Sequence, residues 1–326
     1  MPSLAVRAER WPISGAFTIA RGSKTEAEVV VVELADGAAR GRGEAVPYKR
    51  YGETVEQTLA EIEGLRGAIE AGLDAAALQA LIGPGAARNA VDCALWDLQA
   101  KRTGVRAWAR AGRPDLGPVT TAYTLSLAEP AAMAAAARAA ARRPLLKLKI
   151  GGADDLDRVE AVRAAAPASA LIVDANEALS LEELRRLAPA FARLEVKLIE
   201  QPLKAGEDAD LEGYESPVPL CADESLHTRA ELEACARRYA AVNVKLDKTG
   251  GLTEALALAA EARALGLELM AGCMVATSLA MAPAMIIAQD AAFVDLDGPL
   301  LLARDREPGL VFEGSRILPP SPALWG

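Results

Sequence analysis

Between Val119 and Leu296 the chain repeats one unit, a short aliphatic strand followed by an alanine- and leucine-rich helical stretch. The spacing of roughly 22 to 26 residues is typical of a (β/α) barrel. The rival arrangement is an open doubly wound sheet, but no G-x-G-x-x-G motif or P-loop follows any of these strands. The predicted strands are Val119–Leu125, Leu145–Ile150, Leu171–Val173, Val196–Ile199, Val218–Cys221, Val242–Leu246, Leu267–Met270 and Phe293–Leu296.

The chain before this repeat follows a different pattern. Val6–Trp11 and Ala27–Leu34 are typical of strands, and the turn signal Asp36-Gly37 precedes a return strand, which together predict an antiparallel meander. From Thr54 to Thr103 the apolar residues recur at helical period. We therefore predict an α/β protein with a (β/α)7β TIM-like barrel and an N-terminal α+β capping domain. The predicted bounds are 1–117 for the capping domain, 118–305 for the barrel and 306–326 for a C-terminal segment that returns to the capping domain.

Charge and composition exclude several classes of protein. The net charge of −9 argues against a nucleic acid partner, which would require a basic face. No apolar run is long enough to span a bilayer and no signal peptide is recognisable, so we expect a cytoplasmic protein without a membrane partner. The four cysteines lack zinc-site spacing and fit reduced core thiols. The sequence does not decide between a monomer and a homo-oligomer.

Charged side chains close five consecutive predicted strands. Catalytic residues of a barrel lie at these strand ends, because the loops that follow converge on the barrel axis. The order of signs along the chain is positive, negative, negative, negative, positive, which helix capping alone does not explain. The residues are Lys147 and Lys149, then Asp174 with Asn176, then Glu200, then Asp223 with Glu224, and finally Lys245 with Asp247.

The three carboxylates of Asp174, Glu200 and Asp223 predict a metal site. On neighbouring strands they would repel one another unless a cation lay between them. A set of oxygen ligands selects Mg²⁺ or Mn²⁺ over zinc. We therefore predict one Mg²⁺ per subunit, with Mn²⁺ able to replace it. We expect three further polar residues to contact the ligands and lysines from behind, namely Asn176, Glu224 and Asp247.

The lysines indicate proton transfer. Lys147 and Lys149 share one face of an otherwise aliphatic strand, and seen alone that strand has the simpler interpretation of a solvated lysine face. Lys245, on the sixth strand, would lie on the other side of the carboxylates. Two lysines that flank a bound ligand could remove a proton from carbon on either face. A lysine base must be neutral, which requires its pKa to fall from about 10.4 toward the working pH.

These features resemble the enolase superfamily, in its muconate-lactonizing-enzyme subgroup, whose members combine a lysine base with Mg²⁺. Within the subgroup the chain is most similar to dipeptide epimerases, particularly the L-Ala-D/L-Glu epimerases. The similarity covers nearly the whole chain. Three further segments carry it, namely Ala90–Leu98, Asn243–Gly251 and Asp295–Pro299.

The resemblance implies an isomerase with assigned residues. It implies that the α-carbon of the C-terminal residue of a dipeptide is inverted by two-base 1,1-proton transfer through a Mg²⁺-stabilised enolate, with a role in murein peptide recycling. It also implies that Lys149 and Lys245 are the acid/base catalysts and that Lys147 stabilises the enolate. The implied Mg²⁺ ligands are Asp174, Glu200 and Asp223.

The pair Asp295-x-Asp297 bears on the substrate. Two aspartates before Gly298-Pro299 could be simple turn formers. Strand alternation places both on one face, where they could bind an ammonium, as the D-x-D motif of dipeptide epimerases does. An acidic second residue would need a cation. Arg21 and Lys24, in the predicted polar loop Arg21–Thr25, are both candidates, with arginine better suited to a carboxylate. The remaining residues that we expect to line the substrate pocket are Thr124, Cys273 and Met274.

Other functions remain open at this point. A dipeptide epimerase of another specificity would share all these features. A lyase of the o-succinylbenzoate synthase or muconate cycloisomerase type would have no reason to keep two aspartates for an ammonium. A noncatalytic barrel that only binds a metal or a peptide is disfavoured by the two opposed lysines. His227, the only histidine, is expected at the surface, and its position excludes the histidine-base subgroups that resemble mandelate racemase.

Overall fold

The computed structural model describes residues 2–152 and 155–326, and its N-terminal part is an antiparallel sheet covered by helices. The central strand β2 contributes four consecutive valines, residues 29–32, that are fully buried. The strands are β1 (Ser3–Ile19), β2 (Gly22–Asp36) and β3 (Ala39–Ala45), paired in that order. The helices are α1 (Val55–Gly64), α2 (Arg66–Glu70), α3 (Ala75–Leu81), α4 (Ala86–Thr103) and α5 (Ala107–Arg110), and a 3-10 turn spans Lys49–Tyr51.

Helix α4 lies directly against β3 because two glycines let the backbones approach. A Cβ atom at Gly43 would lie 2.1 Å from the Ala90 carbonyl oxygen, and one at Gly41 would lie 2.3 Å from that of Ala94. No side chain fits in these gaps. The position of α4 on the sheet is therefore determined by the sequence of β3.

Eight parallel strands follow in an unbroken sheet whose neighbours are consecutive in the chain. The first and last strands are joined by a hydrogen bond from Ala122 N to Val294 O (2.7 Å), which closes the barrel. The strands are β5 (Tyr123–Leu125), β6 (Leu145–Lys149), β7 (Ala170–Asp174), β8 (Val196–Glu200), β9 (Leu220–Ala222), β10 (Ala241–Val244), β11 (Glu268–Ala271) and β12 (Phe293–Val294). The barrel helices are α6 (Pro130–Ala139), α7 (Asp155–Ala165), α8 (Leu181–Arg193), α9 (Leu232–Arg238), α10 (Leu246–Thr249), α11 (Leu252–Ala264), α12 (Ser278–Ala288) and α13 (Gly298–Leu301), and 3-10 turns span Ala209–Leu211 and Arg229–Glu231.

This architecture confirms the predicted fold class, a barrel with an antiparallel capping sheet. Capping boxes formed by Ser180 with Glu183 and by Thr228 with Glu231 begin α8 and the second barrel 3-10 turn. Several boundaries differ from prediction, and the predicted strand Val119–Leu125 is divided into β5 and a separate short strand, Val119–Thr120, outside the barrel sheet. Two further differences bear on the site. The segment Arg21–Thr25 is not a loop, because β2 already begins at Gly22 and the turn is confined to residues 20 and 21. The sixth barrel strand ends at Val244, because the backbone N–H groups of residues 248 and 249 both bond to the Lys245 carbonyl and form the one-turn helix α10.

The C-terminal segment contacts both parts of the molecule. Strand β14 (Arg316–Ile317) pairs with β13 (Phe312–Glu313) and with β4 (Val119–Thr120). The fully buried Trp325 donates a hydrogen bond to the Cys93 carbonyl oxygen of α4 at 3.0 Å. The predicted domain bounds stay a prediction. Among the described residues, no helix has the length and apolar character that a membrane span requires.

A buried carboxylate of α4 contacts the barrel and predicts a pH effect on stability. Asp92 accepts hydrogen bonds from Thr253 N (3.0 Å) and Thr253 Oγ1 (2.6 Å) of α11. Burial raises the pKa of Asp92 to about 6, outweighing these bonds and the charge of Arg88. Its pKa in the unfolded chain is about 3.9, so the folded protein binds this proton more tightly, and the stabilisation present below about pH 4 is lost as the pH rises through 6.

We therefore expect the free energy of unfolding of the native protein, minus that of Asp92→Asn, to fall between about pH 4 and pH 7. Urea denaturation across that range measures this difference, and because both proteins share every other titrating group, the subtraction isolates Asp92. A difference that is constant with pH would contradict the raised pKa.

Candidate active site

The charged strand ends meet at one end of the barrel, as the sequence predicts. Register pairs Lys149 of β6 with Asp174 of β7, and Asp174 with Glu200 of β8. Asp223 directly follows β9 and Lys245 directly follows β10. All five side chains are buried, so their charges interact without full screening by water.

Lys147 lies at the centre of the carboxylates. Only 1% of it is exposed, and its Nζ lies 2.7 Å from Glu200 Oε2, 2.7 Å from Asp295 Oδ2 and 3.1 Å from Asp174 Oδ2. Burial alone would lower the pKa of Lys147, but these three carboxylates raise it well above its usual value. The three carboxylates therefore favour the charged ammonium form of Lys147.

Lys149 and Lys245 each hold one carboxylate. The distance from Lys149 Nζ to Asp174 Oδ2 is 2.5 Å, and that from Lys245 Nζ to Asp223 Oδ2 is 2.7 Å. The two lysines belong to the second and sixth of eight barrel strands, so they approach the centre from opposite sides. Burial would lower the pKa of Lys245, but Asp223 and then Glu200 raise it well above its usual value, which makes this lysine a proton donor in the present arrangement.

The pKa values of the three carboxylates shift in different directions. Burial would raise the pKa of Asp174, but Lys149 and Lys147 lower it overall. The pKa of Asp223 likewise lies well below its usual value, because Lys245 and Lys248 outweigh burial. Burial and the charge of Asp174 instead raise the pKa of Glu200 to about 7. Glu200 is therefore the carboxylate whose negative charge is least well compensated by the protein.

The aspartate pair lies beside Lys147, on the side of the first and last barrel strands. Asp295 binds Lys147 through Oδ2, while its Oδ1 is buried and has no hydrogen-bond partner among the described residues. Asp297 Oδ2 accepts a hydrogen bond from the backbone N–H of Thr124 at 2.6 Å. The pKa of Cys273 is raised, first by burial and then by Asp295 and Asp297, so this thiol lies near both carboxylates. Met274 packs half-buried against the core.

Arg21 reaches the barrel from the tip of the β1–β2 hairpin, whereas Lys24 does not. Arg21 donates to the Asn176 carbonyl oxygen (2.7 Å), Glu177 Oε2 (3.0 Å) and Glu224 Oε1 (2.8 Å). Lys24 instead lies over a tyrosine ring of the capping domain, with its Nζ 5.0 Å from the Tyr48 centroid. Of the two predicted cations, Arg21 is thus the one that faces the strand ends.

Family models match most of the chain. Residues 129–321 match the enolase C-terminal domain-like family, and residues 1–109 match the N-terminal domain of the mandelate racemase / muconate lactonizing enzyme family. The chain belongs to the enolase superfamily. The predicted family is thereby confirmed.

Several members of the enolase superfamily are similar along their whole length. L-Ala-D/L-Glu epimerase of Escherichia coli is 47% identical over 96% of this chain and 98% of its own. N-acetyl-D-glutamate racemase of a Pseudoalteromonas species is 43% identical over 91% of this chain and 95% of its own. A crystal structure of an enolase family member from Agrobacterium tumefaciens, with homology to dipeptide epimerases and with sodium and L-Ala-L-Glu bound, superimposes with a TM-score of 0.98, 53% identity and complete coverage of both chains.

The carboxylates of this chain form a set of oxygen ligands of the kind that binds Mg²⁺, although lysine ammonium groups lie against them in the structure. Asp174, Glu200 and Asp223 are buried oxygen donors on neighbouring strands. Glu200 Oε2 makes no hydrogen bond with the described residues, although Lys147 Nζ lies 2.7 Å away. Within the described ranges, no three acidic, histidine or cysteine side chains are spaced as a ready metal site. The donor set therefore fits a hard divalent cation, provided that lysine ammonium groups withdraw from it.

Structures of related enzymes show which cation binds in this superfamily. Other structurally similar dipeptide epimerases were solved with Mg and a dipeptide bound. The predicted cofactor, Mg²⁺, is thus the one found in the relatives. Which residues of this chain hold it stays a prediction.

Sequence reasoning missed several residues of the site. Lys248 is buried, with Nζ 2.6 Å from Asp223 Oδ1 and 3.0 Å from the Asn243 carbonyl oxygen. Its spacing of three residues from Lys245 would have indicated this contact if the one-turn helix had been recognised. His227 is not a plain surface residue, since its ring packs edge-on against Tyr51 at 4.4 Å.

A cavity of about 550 Å³ opens beside these residues, between the capping domain and the barrel. Its barrel wall includes Glu224 and Asp247, two of the polar residues that we expected to contact the ligands and lysines. Glu224 also lies 3.4 Å from the Asn176 side-chain amide, whereas Asp247 faces the capping domain. The lining of the cavity comprises Arg50, Tyr51, Gly52, Glu53, Gln57, Thr58, Glu61, Pro84, Gly85, Ala205, Glu224, His227 and Asp247.

Proposed function

We propose that this chain is a dipeptide epimerase that interconverts the L and D configurations of the glutamyl residue of L-Ala-Glu. It is an isomerase, like the epimerases and racemases to which it is similar. The observation that carries the proposal is the pair of buried lysines, Lys149 and Lys245, that approach the carboxylate cluster from opposite sides of the barrel. Inversion of a carbon centre requires one proton-transfer group on each face. A role in murein peptide recycling stays a prediction.

Each lysine has one task in each direction of the reaction. For one stereoisomer the neutral Lys149 takes the α-proton onto Nζ, and the Lys245 ammonium delivers a proton from its own Nζ to the opposite face. For the other stereoisomer the two roles exchange. Because Asp223 and Glu200 raise the pKa of Lys245, a cation bound to these carboxylates would favour the neutral form that can act as a base.

The negative charge that develops on the substrate carboxylate needs compensation inside a buried site. Lys147 supplies a fixed positive charge, since its ammonium is held by Asp295, Glu200 and Asp174. A divalent cation held by Asp174, Glu200 and Asp223 would supply the larger part of that compensation when bound. Preorganised charges of this kind stabilise the transition state more than they would in water.

The aspartate pair would bind the free amino group of the dipeptide. Asp295 has one buried oxygen to which no described residue donates a hydrogen bond, and burial together with Asp295 raises the pKa of Asp297 to about 7. Both features describe carboxylates that would gain from a positively charged neighbour. A substrate without an ammonium, such as an N-acylated glutamate, would leave them unpaired. We therefore favour a dipeptide over the substrate in the name of the Pseudoalteromonas relative.

Deuterium exchange tests the proposal. The protein is incubated with Mg²⁺ and L-Ala-L-Glu in D₂O, and ¹H NMR follows the glutamyl α-proton together with the appearance of the L,D diastereomer. We expect exchange and inversion with this substrate, and much slower exchange with N-acetyl-L-glutamate. If only N-acetylglutamate reacts, the chain is a racemase instead. If no dipeptide exchanges its α-proton, the epimerase proposal is wrong.

A pair of matched variants identifies the cation that binds the glutamyl side chain. We expect Arg21→Met to lower kcat/KM for L-Ala-L-Glu by about 10- to 100-fold through KM, since a charge-assisted hydrogen bond contributes about 1.5–3 kcal/mol. L-Ala-L-Leu, which has no side-chain carboxylate, should lose far less. Steady-state kinetics of Arg21→Met and Lys24→Met with both dipeptides measure this. A larger loss in Lys24→Met would move the contact to Lys24.

A further inference from the structure

Helix α4 of the capping domain makes a continuous series of polar contacts with one segment of the barrel, residues 247–253. Arg88 donates to the Thr249 carbonyl oxygen (2.8 Å) and the Gly250 carbonyl oxygen (3.1 Å). One turn further along, Asp92 accepts two hydrogen bonds from Thr253, as described above. In the described part of the chain, every hydrogen bond from an α4 side chain to the barrel ends on residues 247–253.

Asn89 and Asp247 form the buried centre of these contacts. The side-chain amide of Asn89 donates to Asp247 Oδ1 at 2.9 Å, and the backbone N–H of Val46, next to β3, donates to the same oxygen at 2.9 Å. Asp247 is thus anchored to the capping domain twice. We name the set Arg88, Asn89, Asp92 and Asp247 the interdomain clamp.

The clamp holds the turn that carries a catalytic lysine. Asp247 is two residues from Lys245, within the one-turn helix α10 that begins directly after it. Gly250 and Gly251 end that turn with φ angles of 71° and 109°, and a Cβ atom at Gly251 would lie 2.5 Å from Asp92 Oδ2. Because the turn is short and tightly enclosed, a shift of Asp247 would be transmitted to Lys245.

The other catalytic lysine is supported differently. Lys149 ends β6, which is hydrogen-bonded along its length to β5 and β7 inside the barrel sheet. The ring of Phe17, on β1 of the capping domain, lies beside it, with its centroid 5.8 Å from Nζ. The capping helix therefore supports one side of the site and not the other.

We propose that Asn89 and Asp247 are positioning residues for Lys245, so that the two half-reactions depend unequally on the capping domain. The inference rests on the proposed function. Loss of the clamp should slow proton transfer at Lys245 and leave proton removal by Lys149 nearly unchanged, because a misplacement of an ångström at a reacting group already costs about 100-fold.

The experiment separates exchange from inversion in D₂O. A neutral lysine in D₂O carries two deuterons on Nζ. After it takes a proton from the substrate, about two of every three returns to the same face deliver deuterium, which gives exchange without inversion. For the stereoisomer deprotonated by Lys149, we expect Asp247→Ala to keep exchange within about threefold and to slow inversion at least about tenfold. For the other stereoisomer, exchange and inversion should fall together.

Three companion variants separate positioning from folding. Asn89→Leu removes the donor and should shift the ratio of exchange to inversion in the same direction. Asp247→Asn keeps an oxygen for both N–H donors and should restore the ratio of the native protein. Thr277→Val removes a different interdomain contact, the hydroxyl that donates to Glu44, and should lower Tm without changing the ratio.

The outcomes separate a failure of the positioning role from a failure of the proposed function. An unchanged ratio in both Asp247→Ala and Asn89→Leu, or equal losses for both stereoisomers, overturns the positioning role while the epimerase function stands. A native protein that exchanges no dipeptide proton overturns the function and this inference with it. If Asp247→Ala does not fold, as judged by circular dichroism, Asn89→Leu decides.

Discussion

Replacing Lys149 or Lys245 by alanine should abolish epimerisation of L-Ala-Glu, but each variant should still exchange the α-proton of one stereoisomer. The physical reason is that inversion needs both lysines, whereas exchange needs only the one that removes the proton. The loss of inversion should be about 10²- to 10⁴-fold or more, the range in which a positioned acid or base contributes. The two variants should exchange opposite stereoisomers.

Measurement uses both dipeptide diastereomers in D₂O for each variant, with circular dichroism to show that the fold is retained. Lys147→Ala is the comparison, since Lys147 compensates charge and takes no proton: it should slow exchange of both stereoisomers alike. If both Lys149→Ala and Lys245→Ala epimerise at the native rate, or if both keep exchange of the same stereoisomer, the two-base assignment is wrong.

Removal of divalent cations should lower activity by at least about 10³-fold, because a bound cation contributes several kcal/mol of charge stabilisation. Glu200→Gln should have a similar effect, since Glu200 is the carboxylate whose charge the lysines compensate least. In the native protein, added Mg²⁺ should restore the activity and raise Tm, because a ligand that binds only the folded state stabilises it.

A binding measurement keeps this prediction independent of turnover. In Glu200→Gln, Mg²⁺ should no longer raise Tm, while Glu207→Gln, a substitution of an exposed glutamate away from the strand ends, should respond like the native protein. A full Mg²⁺-dependent shift of Tm in Glu200→Gln would mean that the cation binds elsewhere. Full activity in excess EDTA would contradict the metal requirement itself.

The strand ends could be predicted from sequence because they follow from two local rules. The (β/α) period sets the barrel, and strand alternation puts Lys147 and Lys149 on one face. The identities of the contacts could not be predicted, since they depend on which side chains are long enough to cross the barrel. Lys147 binds three carboxylates at once, one of them Asp295 from the far end of the chain.

Contacts between the two domains were the least accessible to sequence reasoning. Arg21 reaches Glu224 across 203 positions of sequence, and no local pattern predicts such a pair. Asp247 was expected to contact the ligands or lysines, but it binds Val46 and Asn89 of the capping domain instead. Lys248 lies in the segment Asn243–Gly251 and was not predicted to reach the site, because its burial depends on the one-turn helix α10, where the sequence predicted that the strand continues to Leu246.

The hairpin that carries Arg21 has a consequence for how such enzymes diverge. Residues 21–26 are all exposed, so mutations there remove almost no core packing, whereas the lysines and carboxylates lie inside the barrel. Under the proposed assignment, substrate preference would change through substitutions at the hairpin tip while the lysines and carboxylates of the barrel are retained. Laboratory evolution toward new dipeptides should for the same reason begin with libraries at Arg21 and Lys24, where most variants will still fold.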